Sequence, residues 1–248
     1  MSTLVILSHT DDEVFLAPYL LAHSADEYIF TYLAEMNMPL RQTERMFRRS
    51  EEAHRAMKLL SCQVTLQGYS FLDPSFNLPD GHFHQGGEVR IKNIVTLLLA
   101  TPGVDKVLSL ALEGGHQDHD VSWAIARRVA NSLQVSHLSV PAYKRRIGFN
   151  KLPIPSVFNQ PPNARRISAS PLKAVVLMAK IVAQYRSQSP TWFILFPLLI
   201  LASLRGEFWV SSDQPFTQAH NSLYEARKKA KTSHVMETVL NTLESNHD

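Results

Sequence analysis

Continuous apolar runs alternate along the chain with amphipathic segments, and this alternation predicts strands and helices in turn. The clearest strand signals are the apolar runs at 4–7 and 107–112. Runs of this kind are typical of parallel strands that are covered on both faces. Strands are predicted at 3–8, 28–34, 64–66, 106–112 and 137–140, and helices at 46–60, 88–100, from Asp120 onward and at 172–186. The alternation predicts an α/β fold, a Rossmann-like three-layer sandwich with a mostly parallel sheet.

The length of 248 residues is enough for one α/β domain with a full core. We therefore predict a single domain over 1–220, followed by a helical tail over 221–248 that carries a Lys/Arg cluster at 227–231. The basic, proline-bearing segment 141–171 is expected to be a loop. Residues 208–210 are expected to add an edge strand.

Composition and charge exclude several classes of protein. The net charge of +3 is too small to indicate nucleic-acid binding. The single cysteine, Cys62, rules out an internal disulfide framework and a cysteine-based metal site. Strand-like sequence begins at residue 4, with no basic region or apolar stretch typical of a secretory signal. We therefore expect a cytoplasmic protein.

The segment 192–204 is apolar on all sides and contains Pro197. It is shorter than the roughly 20 apolar residues that a transmembrane helix needs. We expect a helix that is kinked at the proline and buried in the core. The alternative is a peripheral membrane contact through 192–204, since a helix that is apolar all round can also lie against lipid.

Two clusters of histidine and acidic residues follow the two apolar strands, at 8–13 and 114–120. In an open α/β sheet, ligands bind beyond the carboxyl ends of the strands. His9 and Asp12 follow the first strand and His119 follows the fourth, so their side chains can converge. Two imidazoles and one carboxylate suit a catalytic zinc site with an open position, with Fe²⁺ as the alternative. Capping of the following helices is the structural alternative, and it explains single aspartates better than the whole set.

Three further residues of the clusters suit proton transfer. Asp11 adjoins Asp12 but diverges from it, so it is a candidate general base. His116 could stabilise an oxyanion or protonate a leaving amine. Asp118 is a candidate partner for one of the ligand imidazoles. Together with a metal, these groups indicate a hydrolase of amides or esters. A phosphoesterase and a non-catalytic Rossmann-like module for a sugar or nucleotide remain alternatives, although the Gly-x-Gly-x-x-Gly nucleotide signature does not follow the first strand.

The two clusters resemble the His-Pro-Asp-Asp-Glu and His-x-Asp-His motifs of the LmbE-like/PIG-L family of zinc-dependent N-acetylglucosaminyl deacetylases. Similarity continues at 49–52, 68–73, 185–188 and 207–208. The resemblance implies a small-molecule substrate, an N-acetylglucosamine moiety carried on inositol, phosphatidylinositol, malate or another aglycone, and release of acetate; a lipid- or phosphate-linked conjugate is one of these options, and the sequence leaves the choice open. It also implies that Arg49 and Asp73 contact the phosphate or sugar hydroxyls. Thr10 stands where the family has proline, and we expect little effect of this change.

Overall fold

Strands and helices alternate through the first 140 residues, as the sequence predicts. The computed structural model describes residues 1–33, 40–60, 62–66, 88–112, 117–147, 153–157, 160 and 163–212. Within these ranges the elements are β1 (Ser2–Leu7), α1 (Glu13–Ala22), β2 (Glu27–Tyr32), α2 (Leu40–Met57), β3 (Gln63–Leu66), α3 (Glu88–Leu99), β4 (Lys106–Leu110), α4 (Gln117–Leu133), β5 (Ser136–Val140), β6 (Tyr143–Ile147), β7 (Pro153–Val157), β8 (Ala164–Arg166), α5 (Pro171–Val182), α6 (Ser189–Leu204) and β9 (Trp209–Ser212). A 3₁₀ turn, Arg186–Gln188, precedes α6.

The main sheet has the strand order β3-β2-β1-β4-β5-β9-β8. The first five strands in this order are parallel, and β9 and β8 are antiparallel to their neighbours. The strand order reverses between β1 and β4. In folds of this kind the crevice at the carboxyl ends of such a pair is where ligands bind. Both predicted histidine and aspartate clusters follow these two strands, so the topology brings them to one place.

Helices cover both faces of the sheet, which explains the continuous apolar runs. Val5 and Leu7 of β1 pack with α1, α2, α5 and α6 in one core cluster. Leu4 and Ile6 pack with α3 and α4 in the second cluster. Alternate residues of a strand point to opposite faces, and both faces are dry here. The predicted Rossmann-like three-layer sandwich with a mostly parallel sheet is confirmed.

The structure corrects three local predictions. The segment 141–171 is not a plain loop, because β6 and β7 pair as an antiparallel ribbon and β8 joins the main sheet. Prolines in β7 are tolerated because a two-stranded ribbon has open edges. The strand predicted at 208–210 is β9, and it is not an edge strand because β8 pairs with its outer side. Helix α4 begins at Gln117 and not at Asp120, so Asp120 lies in its first turn. The predicted tail, 221–248, lies outside the described residues.

The apolar segment 192–204 forms most of α6, and only one side of this helix packs into the core. Its buried residues are Trp192, Leu199 and Ser203, whereas Phe193 is 85% exposed and Ile194 67% exposed. The expectation of a buried helix is therefore wrong, since hydropathy alone does not say which apolar helix faces water. By length and composition, Arg186–Leu204 is the one helix among the described residues that could cross a membrane, and 17% of it is buried.

Candidate metal centre and active site

The turn after β1 and the first turn of α4 place His9, Asp12 and His119 together. The ligand atoms of these three side chains all lie within 4.8 Å of one another. Asp12 Oδ1 lies 3.2 Å from His119 Nε2, and Asp12 Oδ2 lies 3.6 Å from His9 Nδ1. Among the residues that the structure describes, no other group of His, Cys, Asp and Glu is close enough to share an ion. Two imidazoles and one carboxylate fit a catalytic zinc site.

Hydrogen bonds fix this geometry from both sides. The backbone N–H of His9 donates to Asp12 Oδ2 at 2.8 Å, which closes the turn after β1. The hydroxyls of Ser8 and Ser122 share a hydrogen bond of 2.8 Å, and Ser122 also donates to the carbonyl of His119. The end of β1 and the start of α4 are therefore joined directly, because buried Ser8 after β1 contacts buried Ser122 of α4.

Asp118 determines which nitrogen of His9 faces the cluster. Its Oδ2 lies 3.0 Å from His9 Nε2. A carboxylate only accepts hydrogen bonds, so Asp118 favours a proton on Nε2 and leaves Nδ1, on the side of Asp12, as the nitrogen that could bind a metal. The sequence predicted Asp118 as the partner of a ligand imidazole; the structure places it beside His9, and the role itself stays a prediction.

Asp12 is held ionised. Burial disfavours its charge, but the charge of His119 and hydrogen bonds from His119 and His9 outweigh burial and hold the pKa of Asp12 well below its usual range. An ionised carboxylate next to two imidazoles is the donor set that a divalent transition metal requires.

Asp11 lies beside the cluster and lines the same pocket. Its backbone has a φ of 127°, which is strained for any residue other than glycine. Its Oδ1 lies 3.4 Å from an Arg49 nitrogen, and Trp192 Nε1 donates to its Oδ2 at 3.2 Å. Burial raises the pKa of Asp11 to about 7, with Arg49 opposing and Asp12 adding to the shift. The carboxyl group is thus anchored on both oxygens at the wall of the pocket.

Glu13 is fully buried, and its carboxylate is hydrogen-bonded to the turn between β1 and α1. Its Oε2 accepts from the backbone N–H of Asp11 at 3.1 Å and from the Tyr32 hydroxyl at 3.0 Å. Its Oε1 accepts from the Tyr185 hydroxyl. Burial raises the pKa of Glu13 to about 7, although the hydrogen bond from Tyr185 acts in the opposite direction. Glu13 therefore stabilises the strained backbone that presents Asp11.

A cavity of about 210 Å³ opens at the cluster. Its walls come from the β1–α1 turn, α2, the first turn of α4 and the start of α6. The residues that line it are His9, Asp11, Asp12, Phe15, Arg49, His119, Gln188, Thr191, Trp192 and Leu195. Candidate ligands, a candidate base and an aromatic side chain thus share one pocket.

The sequence of the chain matches a known family in the part that carries His9, Asp12 and His119. Residues 4–130, about half of the chain, match the family described as PIG-L, GlcNAc-PI de-N-acetylase. The chain belongs to the PIG-L family. No curated protein matches the chain in sequence. The LmbE-like/PIG-L resemblance inferred from the two motifs is therefore confirmed.

Solved structures share the PIG-L fold with this chain at low sequence identity. The zinc-inhibited form of teicoplanin deacetylase Orf2 is 15% identical, with a TM-score of 0.54, and the match covers 87% of this chain and 100% of that one. A deacetylase–teicoplanin complex is 17% identical, with a TM-score of 0.55 and coverages of 87% and 100%. The pseudoaglycone deacetylase Dbv21 is 15% identical, with a TM-score of 0.51 and coverages of 85% and 95%. At these identities the comparisons show a common fold.

The predicted site residues of this PIG-L family member fall into two groups. The structure brings His9, Asp12, His119, Asp11 and Arg49 to one pocket, with Asp118 behind His9. His116 and Asp73 lie outside the described residues, so their predicted roles stay predictions. Arg49 lines the pocket, but its Nε donates to Thr10 Oγ1 at 3.0 Å. The threonine that replaces the family's proline is thus an acceptor for Arg49, and we had expected this change to have little effect.

Sequence reasoning missed Glu13 and Tyr185, and it favoured core packing for Trp192. Glu13 belongs to the first motif, so its place there was an available signal. Tyr185 and Trp192 reach the site from 172 and 181 residues away along the chain. Nothing in the local pattern indicates such contacts. A further link joins these regions, because Glu52 of α2 accepts hydrogen bonds from Ser187 in the turn before α6.

Proposed function

We propose that the protein is a metal-dependent N-deacetylase that hydrolyses the acetamide of an N-acetylglucosamine-type conjugate and releases acetate and a free amine. One observation carries this proposal: the His9, Asp12 and His119 triangle shares a pocket with the anchored carboxylate of Asp11. Family membership supports it, because the matching family is described as a de-N-acetylase.

The metal would be zinc, with Fe²⁺ as the alternative, held by His9, Asp12 and His119. When bound, such an ion polarises a carbonyl and lowers the pKa of water. Asp118 keeps His9 in the tautomer that can bind it. The cluster is nearly closed to solvent, since Asp12 and His119 are buried, and this strengthens its electrostatic interactions.

Asp11 is the proposed general base. Its carboxylate lies at the pocket wall, where it can accept a proton from the water that attacks the acetyl carbonyl. Arg49 and Trp192 hold the two oxygens in place. As the C–N bond breaks, the departing nitrogen gains a proton and leaves as the amine, and the acyl carbon leaves as acetate. Asp11 or the predicted acid His116 would supply that proton.

The class of substrate is the finer part of the proposal. Gln188, Thr191 and Trp192 give the pocket an amide, a hydroxyl and an indole ring, and such side chains suit a sugar with polar groups and one apolar face. The contact of Arg49 with the substrate's phosphate or hydroxyls stays a prediction, as does the cytoplasmic location.

Amine release from a panel of N-acetylglucosamine conjugates tests the proposal. The zinc-loaded wild type should release amine, and Asp11→Asn should lower the rate by about 10²–10⁴-fold with its metal content unchanged. Asp105→Asn, at an exposed aspartate before β4, is the matched control and should retain full activity. Cleavage of acetate esters without any amide would favour the esterase alternative. If the metal-loaded protein cleaves neither the amides nor the esters, the non-catalytic binding module becomes the favoured alternative.

A further inference from the structure

Helix α6 is apolar on all sides, but one side is buried against the protein and the other is exposed. We define the α6 outer face as Phe193, Ile194, Leu201 and Leu204, which are the large apolar side chains of α6 that are exposed. At 3.6 residues per turn these four lie on one side of the helix. Trp192, Leu199 and Ser203 lie on the opposite side and are buried. An exposed apolar patch of this kind marks an interaction site.

The buried side of α6 excludes a helix that crosses a bilayer. Trp192 donates to Asp11 in the pocket, and the Ser203 hydroxyl contacts the sulfur of Met178 in α5 at 3.5 Å. A spanning orientation would separate α6 from the domain and break these contacts. The helix therefore lies along the body of the protein, with its outer face available to a surface.

The charges around α6 are complementary to an anionic surface. The stretch 164–207 contains one acidic residue, Glu207, against six basic ones. The basic residues are Arg165, Arg166, Lys173, Lys180, Arg186 and Arg205, and all six are exposed. Helix α5, which packs on α6, adds the exposed apolar residues Leu172 and Val176. Apolar side chains with flanking Lys and Arg are typical of helices that lie in the interface of anionic membranes.

We propose that the α6 outer face docks on the surface of a bilayer that contains anionic phospholipid. The apolar side chains enter the boundary between headgroups and acyl chains, and the basic residues contact the lipid phosphates. Thr191, Trp192 and Leu195 of the same helix line the pocket. Docking therefore brings the pocket to the membrane surface. The proposal rests on the surface of α6 and does not depend on the reaction at the metal centre.

Sedimentation with vesicles tests this proposal on the full chain. Vesicles of phosphatidylcholine alone are compared with vesicles that also contain phosphatidylglycerol. The wild type should bind the mixed vesicles more strongly, and salt should weaken that binding. Phe193→Asp with Ile194→Asp should reduce binding by about tenfold for each apolar side chain removed. Val89→Asp changes an equally exposed side chain on α3, 72% exposed, and should bind as the wild type does.

Circular dichroism and thermal unfolding check that each variant is folded. Leu201→Asp, on the same face but farther from the pocket, should reduce binding as well. Absence of wild-type binding to both kinds of vesicle would overturn the proposal. A loss of vesicle binding in Val89→Asp as large as in the double variant would also overturn the proposal. An added negative charge anywhere on the surface would then explain the result. A wild-type dimer that ignores vesicles and dissociates in the double variant would assign the face to a second copy of the chain.

Discussion

The hydrogen bonds that Glu13 accepts from the turn after β1 and from two tyrosines give a specific prediction for stability. Replacing Glu13 with alanine removes the acceptor of three buried donors: the Asp11 N–H and the hydroxyls of Tyr32 and Tyr185. Each buried donor left without an acceptor costs about 1–3 kcal/mol. Relaxation around the vacated space reduces the sum, so we expect Glu13→Ala to lower the free energy of unfolding by about 3–5 kcal/mol.

Glu13→Gln should be far milder. Its carbonyl can still accept from Asp11 and Tyr32, and its amide can donate to the oxygen of Tyr185. We expect a loss of about 1 kcal/mol. Glu51→Ala, on the exposed side of α2, where Glu51 only pairs with Arg55 at 3.9 Å, serves as the control and should change stability by less than about 0.5 kcal/mol.

Urea unfolding followed by far-UV circular dichroism measures these differences. The order of stability should be wild type, then Glu13→Gln, then Glu13→Ala, with metal-free protein used throughout so that ligand binding does not contribute. A Glu13→Ala variant within about 1 kcal/mol of the wild type would refute the reasoning, since three orphaned donors in a dry site must cost more.

Two other changes are predicted. Asp118→Asn weakens the hydrogen bond to His9 and should lower zinc affinity by about 10–100-fold; competition with a chromogenic chelator measures this, and an unchanged Kd would contradict the role of Asp118. Burial, with Arg127 nearby, lowers the pKa of His137 to about 3 from its ordinary 6.5. The unfolded chain therefore binds a proton that the native protein does not, and His137 destabilises the fold by about 1.4 kcal/mol for each pH unit below 6.5. The His137→Gln side chain can still contact Ser109 but does not titrate. Urea unfolding at pH 7 and pH 5 should therefore show a smaller loss of stability at pH 5 in His137→Gln than in the wild type. The same pH dependence of stability in the two proteins would contradict the role of His137.

The fold and the metal cluster could be predicted for a physical reason. Strands buried on both faces are continuous apolar runs, so β1 and β4 are visible in the sequence. Parallel neighbours end at the same edge of a sheet, so the residues that follow β1 and those that follow β4 come close together. The grouping of His9, Asp12 and His119 follows from these two facts alone.

Contacts between distant segments could not be predicted in the same way. Tyr185, just before the 3₁₀ turn, and Trp192 of α6 reach the turn after β1 because the chain from 185 to 192 packs beside it. Packing between segments so far apart leaves no local pattern. The surface of α6 is the clearest case. A uniformly apolar helix is compatible with a core position and with an exposed one, and only the packed structure separates Phe193 from Trp192. The ribbon of β6 and β7 was missed because basic residues and prolines suggest a loop.

Metal stoichiometry tests the central claim most directly. Purified wild type and His119→Ala are loaded with zinc, freed of excess metal and analysed by mass spectrometry, with His54→Ala, an exposed histidine of α2, as the matched control. The account predicts near one equivalent in the wild type and in His54→Ala, and little in His119→Ala. Equal metal content in all three, or none in any after zinc is added back, would contradict a metal centre at His9, Asp12 and His119.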